Sequence, residues 1–268
     1  NQELFINECI YSAINQTYSN LEIIVLDDKS IDNTWGEIEK IKDNRLIKIP
    51  NERNIGMIDN FKKCLDLANG KYITLLNGDD VLHKECIKKQ IPLLEKNKKV
   101  AFSYGLVKYL GNMSGISKNF QNSKFQPGEY CIASLSLAQN LNFQVGTIFR
   151  KESLPKNPIS DLLYFDWLLW LKLGYNHLVV PLNEVVGYYR RHDQSTTFIV
   201  NNNFLVGDYI NMDLVLLNFG NYYPNKKLLF FARIKLLKRY VRLSLRNKSK
   251  VTDYLALIIH FLFNKSII

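Results

Sequence analysis

Leu75-Leu76-Asn77-Gly78-Asp79-Asp80 runs an apolar segment straight into two adjacent carboxylates. Residues Lys71 to Leu76 are β-branched, aromatic and aliphatic, the composition of a buried strand. Ionised carboxylates at the end of such a strand are costly to bury unless something positive sits beside them. A divalent cation with a diphosphate on its far side meets that need, because hard cations take oxygen ligands. Asn-Gly-Asp-Asp is also good turn chemistry, so a plain strand–turn junction accounts for the same residues.

Other groups share this character. Asp27-Asp28 closes a short apolar run, Glu22 to Leu26. Asp166 lies between Phe165 and Trp167, an apolar surround suited to a general base that must stay ionised yet be partly desolvated. A carboxylate complementing a helix dipole is the structural alternative there. The extended segment Glu184 to Tyr189 leads into Arg190-Arg191-His192, and arginine pairs well with phosphate oxygens.

The elements that must hold these groups alternate. Gln2 to Asn15 has apolar residues at helical spacing, and Glu22 to Leu26 is a strand. Ser30 to Thr34 offers N-caps for a helix through about Ile41, and Leu46 to Ile49 is a strand. A helix from Met57 to Ala68 stops at Asn69-Gly70 before the strand Lys71 to Leu76. Val81 to Lys96 reads as helix and Ala101 to Leu110 as strand. Gly111 to Gln126 reads as a polar surface loop, Ser134 to Asn140 as helix and Gly146 to Lys151 as strand. Asp161 to Leu173 forms a helix with Asp166 in its interior, and Val179-Val180 is extended.

This order predicts an α/β domain with a mostly parallel sheet, in which ligands bind beyond the carboxyl ends of strands. Asp27-Asp28 and Asp79-Asp80 both sit at such ends and are expected to line one crevice. The chain opens on a helix where an α/β nucleotide-binding half opens on a strand, so a first strand is expected to be missing.

Composition narrows the classes. The 268 residues suffice for one large domain, or a domain with an appendage. Cys9, Cys64, Cys86 and Cys131 show no Cys-x-x-Cys spacing, which favours free thiols in a reducing compartment. No signal peptide or membrane-spanning run is visible, which predicts a cytoplasmic protein, with a peripheral place on the inner membrane face left open. The net charge of +10 is local: ten Lys and Arg and no Asp or Glu fall between Lys226 and Lys250, leaving 25 basic and 25 acidic residues elsewhere. With no reading element or stacking aromatics in a basic groove, nucleic-acid binding is not expected.

Four separated motifs resemble family-2 glycosyltransferases. Ser12 to Asp32, ending in Asp27-Asp28-Lys29-Ser30-Ile31-Asp32, resembles the family's first helix, second strand and acidic turn. Arg53-Asn54-Ile55-Gly56 with Asn60, then Ala68 to Ile73, resembles the segment leading to the metal strand. Asn77-Gly78-Asp79-Asp80 resembles the Asp-x-Asp region. Phe165-Asp166-Trp167 and Tyr189-Arg190-Arg191-His192 resemble the catalytic acidic motif and the later Tyr-Arg-x-His.

The resemblance implies an α/β GT-A fold with a Rossmann-like mixed sheet over residues 1–200 and a basic helical appendage over 201–268. It implies an inverting transfer from a nucleotide-diphosphate sugar, assisted by Mn2+ or Mg2+, to a glycan or lipid-linked acceptor, in polysaccharide or cell-envelope synthesis. Asp166 becomes the general base and Asp80 the principal metal ligand. Asp79 holds the donor ribose or shares the metal, and His192 completes the metal or diphosphate site. Asp28 accepts a hydrogen bond from the nucleotide base, Arg53 contacts base or diphosphate, and Arg190 or Arg191 pairs with phosphate oxygens. Asn77 departs from the pattern, since many relatives carry Asp there, and weaker metal binding is expected. Asn77 is also the one hint of a second reading, a catalytically inactive GT-A module that binds nucleotide or glycan. A nucleotide-sugar pyrophosphorylase is a third, but its Gly-rich signature would precede this sequence.

The basic stretch reads as an amphipathic helix. Lys235, Lys238, Arg239, Arg242 and Arg246 mark one face, and Phe230, Ile234, Leu237 and Val241 the other, widened by Leu229, Leu236, Tyr240 and Leu243. A second apolar stretch follows, Tyr254 to Phe263. Such a helix suits an anionic membrane surface, or packs its apolar side on the catalytic domain.

Overall fold

Apolar residues at helical spacing give α1 (Ile6–Ile14), which packs Ile6 and Ile10 against Ile38 of α2 (Thr34–Lys40). Between them β1 (Ile23–Asp27) pairs in parallel with β2 (Leu46–Pro50), in register from Ile23 with Leu46 to Asp27 with Pro50. α3 (Met57–Leu67) leads to β3 (Tyr72–Thr74), β4 (Val81–Leu82), α4 (Cys86–Glu95) and β5 (Val100–Gly111). α5 (Glu129–Leu137), β6 (Ile148–Arg150), α6 (Phe165–Asn176) and β7 (Leu178–Arg191) follow, then α7 (Leu205–Gly220) and α8 (Lys226–Arg246). The computed structural model describes residues 1–111, 114–117, 124–193, 205–246, 256–258 and 260–261.

β3 to β7 form one sheet in the order β3-β6-β5-β7-β4. Only β5 and β7 run parallel; β3–β6, β5–β6 and β4–β7 are antiparallel. The mostly parallel sheet expected from alternation is therefore corrected to a mixed one. Alternation says little about direction where sheet neighbours lie far apart in sequence, as β3 and β6 or β4 and β7 do.

Among the described residues the two sheets do not join. β1 is paired on one edge by β2 and β3 on one edge by β6, and Ile24, Leu26, Ile73 and Leu75 line the space between the other two edges. Thr74 Oγ1 and Gln2 Oε1 line the same space and are buried without a hydrogen-bond partner.

Three element readings change. Val81 and Leu82, expected to open a helix, are a short strand, with Val81 opposite Tyr188 and Leu82 opposite Gly187. Asp166, expected inside a helix, lies in the first turn of α6, because the helix starts at Phe165. The loop Gly111 to Gln126 is partly ordered on the sheet: Ser117 donates to Val107 O (2.7 Å) and Phe125 bridges to Val179. The remainder of that loop lies outside the described residues.

The C-terminal helices share their core with the sheet-bearing part. Leu229, Ala232, Leu236 and Tyr240 of α8 cluster with Tyr209, Leu216 and Phe219 of α7 and with Cys131, Leu135, Trp167 and Leu171 of α5 and α6. The face that packs is thus centred on residues expected only to widen the apolar side. Phe230 and Phe231 remain exposed, and Arg233, a charge left out of the helical pattern, is buried and paired with Asp213 (2.7 and 2.8 Å). Of Tyr254 to Phe263, residues 256–258 and 260–261 are helical and Leu257 is buried.

Candidate active site

Short β4 sets the site. Its pairing with β7 brings the Asp79-Asp80 turn against Arg190 and His192, more than a hundred residues away. Asp80 is 1% exposed; its Oδ1 accepts the Arg190 backbone N–H (2.9 Å) and its Oδ2 the Asn77 side-chain amide (3.2 Å). Burial and then the neighbouring Asp79 carboxylate push the Asp80 carboxyl above its ordinary range. Asp79 faces the other way, with Oδ2 3.0 Å from His192 Nε2.

Arg190 ties this corner together. Its Nε donates to Asp79 O (2.9 Å), its guanidinium pairs with Glu8, and it lies over the Phe5 ring at 4.8 Å. The Phe5 ring also lies 4.8 Å from that of His192. The arginine expected to meet phosphate is thus engaged in holding the acidic turn. Arg191, its neighbour, lines the cleft.

Asn77 is not merely a missing carboxylate. Its amide nitrogen donates to Asp80 and its oxygen accepts from Gln144 Nε2 (3.3 Å). An Asp at this position would remove the donor and set a third negative charge beside two others.

Asp28 anchors a loop. Its Oδ1 accepts from Asn51 Nδ2 (2.9 Å) and Ile55 N (2.8 Å), and its Oδ2 from Gly56 N (2.8 Å). Gly56, at φ +86°, takes a backbone conformation that side chains disfavour, and so turns the loop into α3. Asn51 also donates to Asn60 Oδ1 (2.8 Å) and accepts from Lys63 (2.7 Å). Arg53 is exposed on this loop and is not among the cleft-lining residues, whereas Asn54 and Asn60 are.

Asp166 is half-buried on the cleft wall, where it accepts from Asn140 Nδ2 (3.0 Å) and the Trp167 backbone N–H. Burial raises its carboxyl to about 6, against the lowering pull of those donors. A carboxyl there is ionised at neutral pH yet basic enough to take a proton. Phe165 and Trp167 on either side of it are both buried, and Trp167 Nε1 donates to Ser134 Oγ (2.8 Å).

One cleft of about 1390 Å³ is lined by Asp28, Asp79, Asp80 and Asp166. It continues into the space between β1 and β3, lined there by Ile24, Leu26, Ile73 and Leu75. Among the described residues no three His, Cys, Asp or Glu side chains gather closely enough to hold a cation unaided. Asp79 and His192 do offer an oxygen and an imidazole nitrogen side by side, a set that suits Mn2+, with substrate phosphates and water able to supply the remaining ligands.

Sequence reasoning missed Asn140, Gln144, Glu8 and Phe5. Each is a common residue without a motif, brought to the site only by packing, whereas Ile55, Gly56 and Asn60 of the Asp28 network fall in the motif quoted around Arg53.

The model for glycosyl transferase family 2 matches residues 1–155. An uncharacterized glycosyltransferase of Haemophilus influenzae is 29% identical over 217 residues, 75% of this chain and 66% of the relative. The Escherichia coli UDP-Glc:alpha-D-GlcNAc-diphosphoundecaprenol beta-1,3-glucosyltransferase WfaP is 44% identical over 95 residues, 35% of this chain and 38% of the relative. The matches thus span less than two thirds of either relative's length. S. aureus TarS 1-349 in complex with UDP superposes with a TM-score of 0.72 at 18% identity, covering 99% of this chain and 78% of that one. The mannosyltransferase PcManGT of Pyrobaculum calidifontis, in complex with GDP-Man and Mn2+, gives 0.61 at 13% identity over 99% and 85%. At these identities the likeness establishes the fold, that of GT-A glycosyltransferases.

Proposed function

The chain belongs to glycosyl transferase family 2, and from that premise we propose that it moves a sugar from a nucleoside-diphosphate donor to a hydroxyl of a glycan or lipid-linked acceptor, with inversion at the anomeric carbon. Asp166 carries the reading: a half-buried carboxylate raised to about 6 lies on the same cleft wall as the acidic turn. In this mechanism the acceptor oxygen attacks the anomeric carbon and Asp166 takes its proton. The bond from that carbon to the diphosphate oxygen breaks on the opposite face, which inverts the centre, and Asp166 ends as the carboxylic acid.

We assign the cation to Asp79 and His192, with Asp80 behind them as the group that fixes the turn through Arg190 and Asn77. Bound there, Mn2+ or Mg2+ supplies Lewis-acid stabilisation of the charge on the departing diphosphate. Asp28 accepts three hydrogen bonds, and a carboxylate has room for about four. Its last site is assigned to a base N–H of the donor, and Arg53, on the loop Asp28 anchors, to the outer edge of the nucleotide. The name of WfaP and the UDP complex of TarS support a UDP-sugar as the first donor to test, and the diphosphoundecaprenol in that name supports a lipid-linked acceptor.

The test is hydrolysis and transfer across a panel of UDP-sugars, with Mn2+ and with chelator, for wild type and Asp166→Asn. Cation-dependent turnover that Asp166→Asn abolishes, with donor binding kept, is expected. A wild type that neither binds nor turns over any nucleotide sugar would overturn the proposal, and full transfer by Asp166→Asn would remove the base assignment. The inactive-module reading gains nothing from Asn77, whose amide has its own work in holding Asp80.

A further inference from the structure

Helix α8 has two apolar faces, and the fold covers one of them. Leu229, Ala232, Leu236 and Tyr240 pack against α5, α6 and α7. Half a turn around the helix, Phe231 is 64% exposed, with Phe230 beside it at a ring separation of 6.3 Å. Ile234 is half-buried beside them, and Lys227, Lys238 and Arg242 are exposed. Phe230 also meets Phe261 at 6.1 Å, and Ile258, a turn earlier in that segment, is 43% exposed. The apolar patch therefore extends across two segments of the chain.

Water is a poor partner for exposed phenylalanines, and scattered charges alone would not need them there. The charge beside the rings decides what covers the patch: Lys227, Lys238 and Arg242 are exposed there, and no acidic residue falls between Lys226 and Lys250. Apolar side chains interleaved with lysine and arginine on one exposed helical face match a lipid interface, where rings enter the acyl boundary and basic heads stay at anionic headgroups. Among the described residues no helix is long and apolar enough to cross a membrane.

We propose that the outer face of α8, with Phe230, Phe231, Lys238 and Arg242, docks on an anionic lipid bilayer. The placement is useful for a transferase with a lipid-linked acceptor. Lys235 and Arg239 donate to the carbonyls of Ser136, Leu137 and Ala138 at the end of α5. Asn140, two residues further on, holds Asp166. Helix α8 and Asp166 thus meet the same short piece of backbone after α5. The docking surface itself does not depend on the transfer reading.

The experiment is co-sedimentation of the whole chain with vesicles of phosphatidylcholine, with and without phosphatidylglycerol, for wild type, Phe230→Ser/Phe231→Ser and Lys238→Gln/Arg242→Gln. Each variant is checked by thermal melting and by UDP binding, which are expected to match wild type. Wild type is expected to bind the anionic vesicles at least about tenfold more tightly than neutral ones, to lose binding as salt rises, and to lose about tenfold in each variant. Equal binding to both vesicle types, or variants that bind as wild type does, would overturn the proposal. So would self-association of wild type in gel filtration that Phe230→Ser/Phe231→Ser abolishes without vesicles, since a second copy would then be the occupant. Because UDP binding is read separately, vesicle binding can fail while the donor reading stands, and the reverse.

Discussion

His192 Nε2 and Asp79 Oδ2 lie 3.0 Å apart, joining the end of β7 to the acidic turn before β4. That pair, and not the more deeply buried Asp80, presents adjacent oxygen and nitrogen donors. Replacing His192 with Ala, or Asp79 with Asn, is therefore expected to weaken apparent Mn2+ affinity at least about tenfold while the fold persists. A Mn2+ titration of donor hydrolysis, with calorimetry of Mn2+ binding in the presence of UDP, checks this.

As the proposed base, Asp166 must be ionised to accept a proton, so on this proposal kcat/KM is expected to rise with pH through about 6. Asn140 donates to the ionised form, and Asn140→Leu is expected to move that acid limb to higher pH. Asp166→Asn is expected to cost roughly 10²- to 10⁴-fold in transfer with donor KM little changed. Stability runs the other way. A carboxyl raised from 3.8 to about 6 contributes most below the lower value and loses that contribution as pH rises through the upper one. Asp166→Asn is therefore expected to melt higher than wild type at pH 8, as calorimetry at several pH values would show.

Asn77→Asp exchanges a donor to Asp80 for a third negative charge. Without cation the variant is expected to melt below wild type. Mn2+ with UDP is expected to raise its melting temperature more than that of wild type, which thermal-shift titrations with and without chelator measure.

Removing the Asp28 side chain takes the acceptor from one Asn51 amide hydrogen and from the Ile55 and Gly56 N–H groups. Asp28→Ala is expected to cost about 1–3 kcal/mol, measured by urea unfolding. Faster proteolytic nicking between Asn51 and Gly56 is the local signature.

The buried pair Asp213–Arg233 fastens α7 to α8. Asp213→Ala leaves a buried guanidinium without its carboxylate and is expected to cost about 3–5 kcal/mol, with Asp213→Leu/Arg233→Met recovering much of the loss. Chemical denaturation of the three proteins tests it.

Local chemistry made much of the fold readable. The apolar stripe of α1, the run ending at Asp27 and the stop after α3 each depend on neighbours a few residues away. Val81-Leu82 was misread because two residues carry no period, and their partners on β7 are over a hundred residues distant. Arg233 escaped the helical pattern because its reason for being buried, Asp213, lies on another helix. The two apolar faces of α8 looked like one, since a helical wheel cannot say which side the rest of the chain covers.

By itself the sequence determined that carboxylates follow two apolar strands, that a third lies between aromatics, and that an arginine pair and a histidine close a later extended segment. These are properties of residue type and nearest neighbours. Which carboxylate faces which partner was decided only by the tertiary structure. Asp79 and Asp80 are chemically identical and adjacent, so no local signal says which one turns inward. The β4–β7 pairing decides it, by bringing the Arg190 N–H to Asp80 and leaving Asp79 to His192. The same long-range packing places Asn140 at Asp166 and raises that carboxyl by burial, a shift that a chain in water would not have.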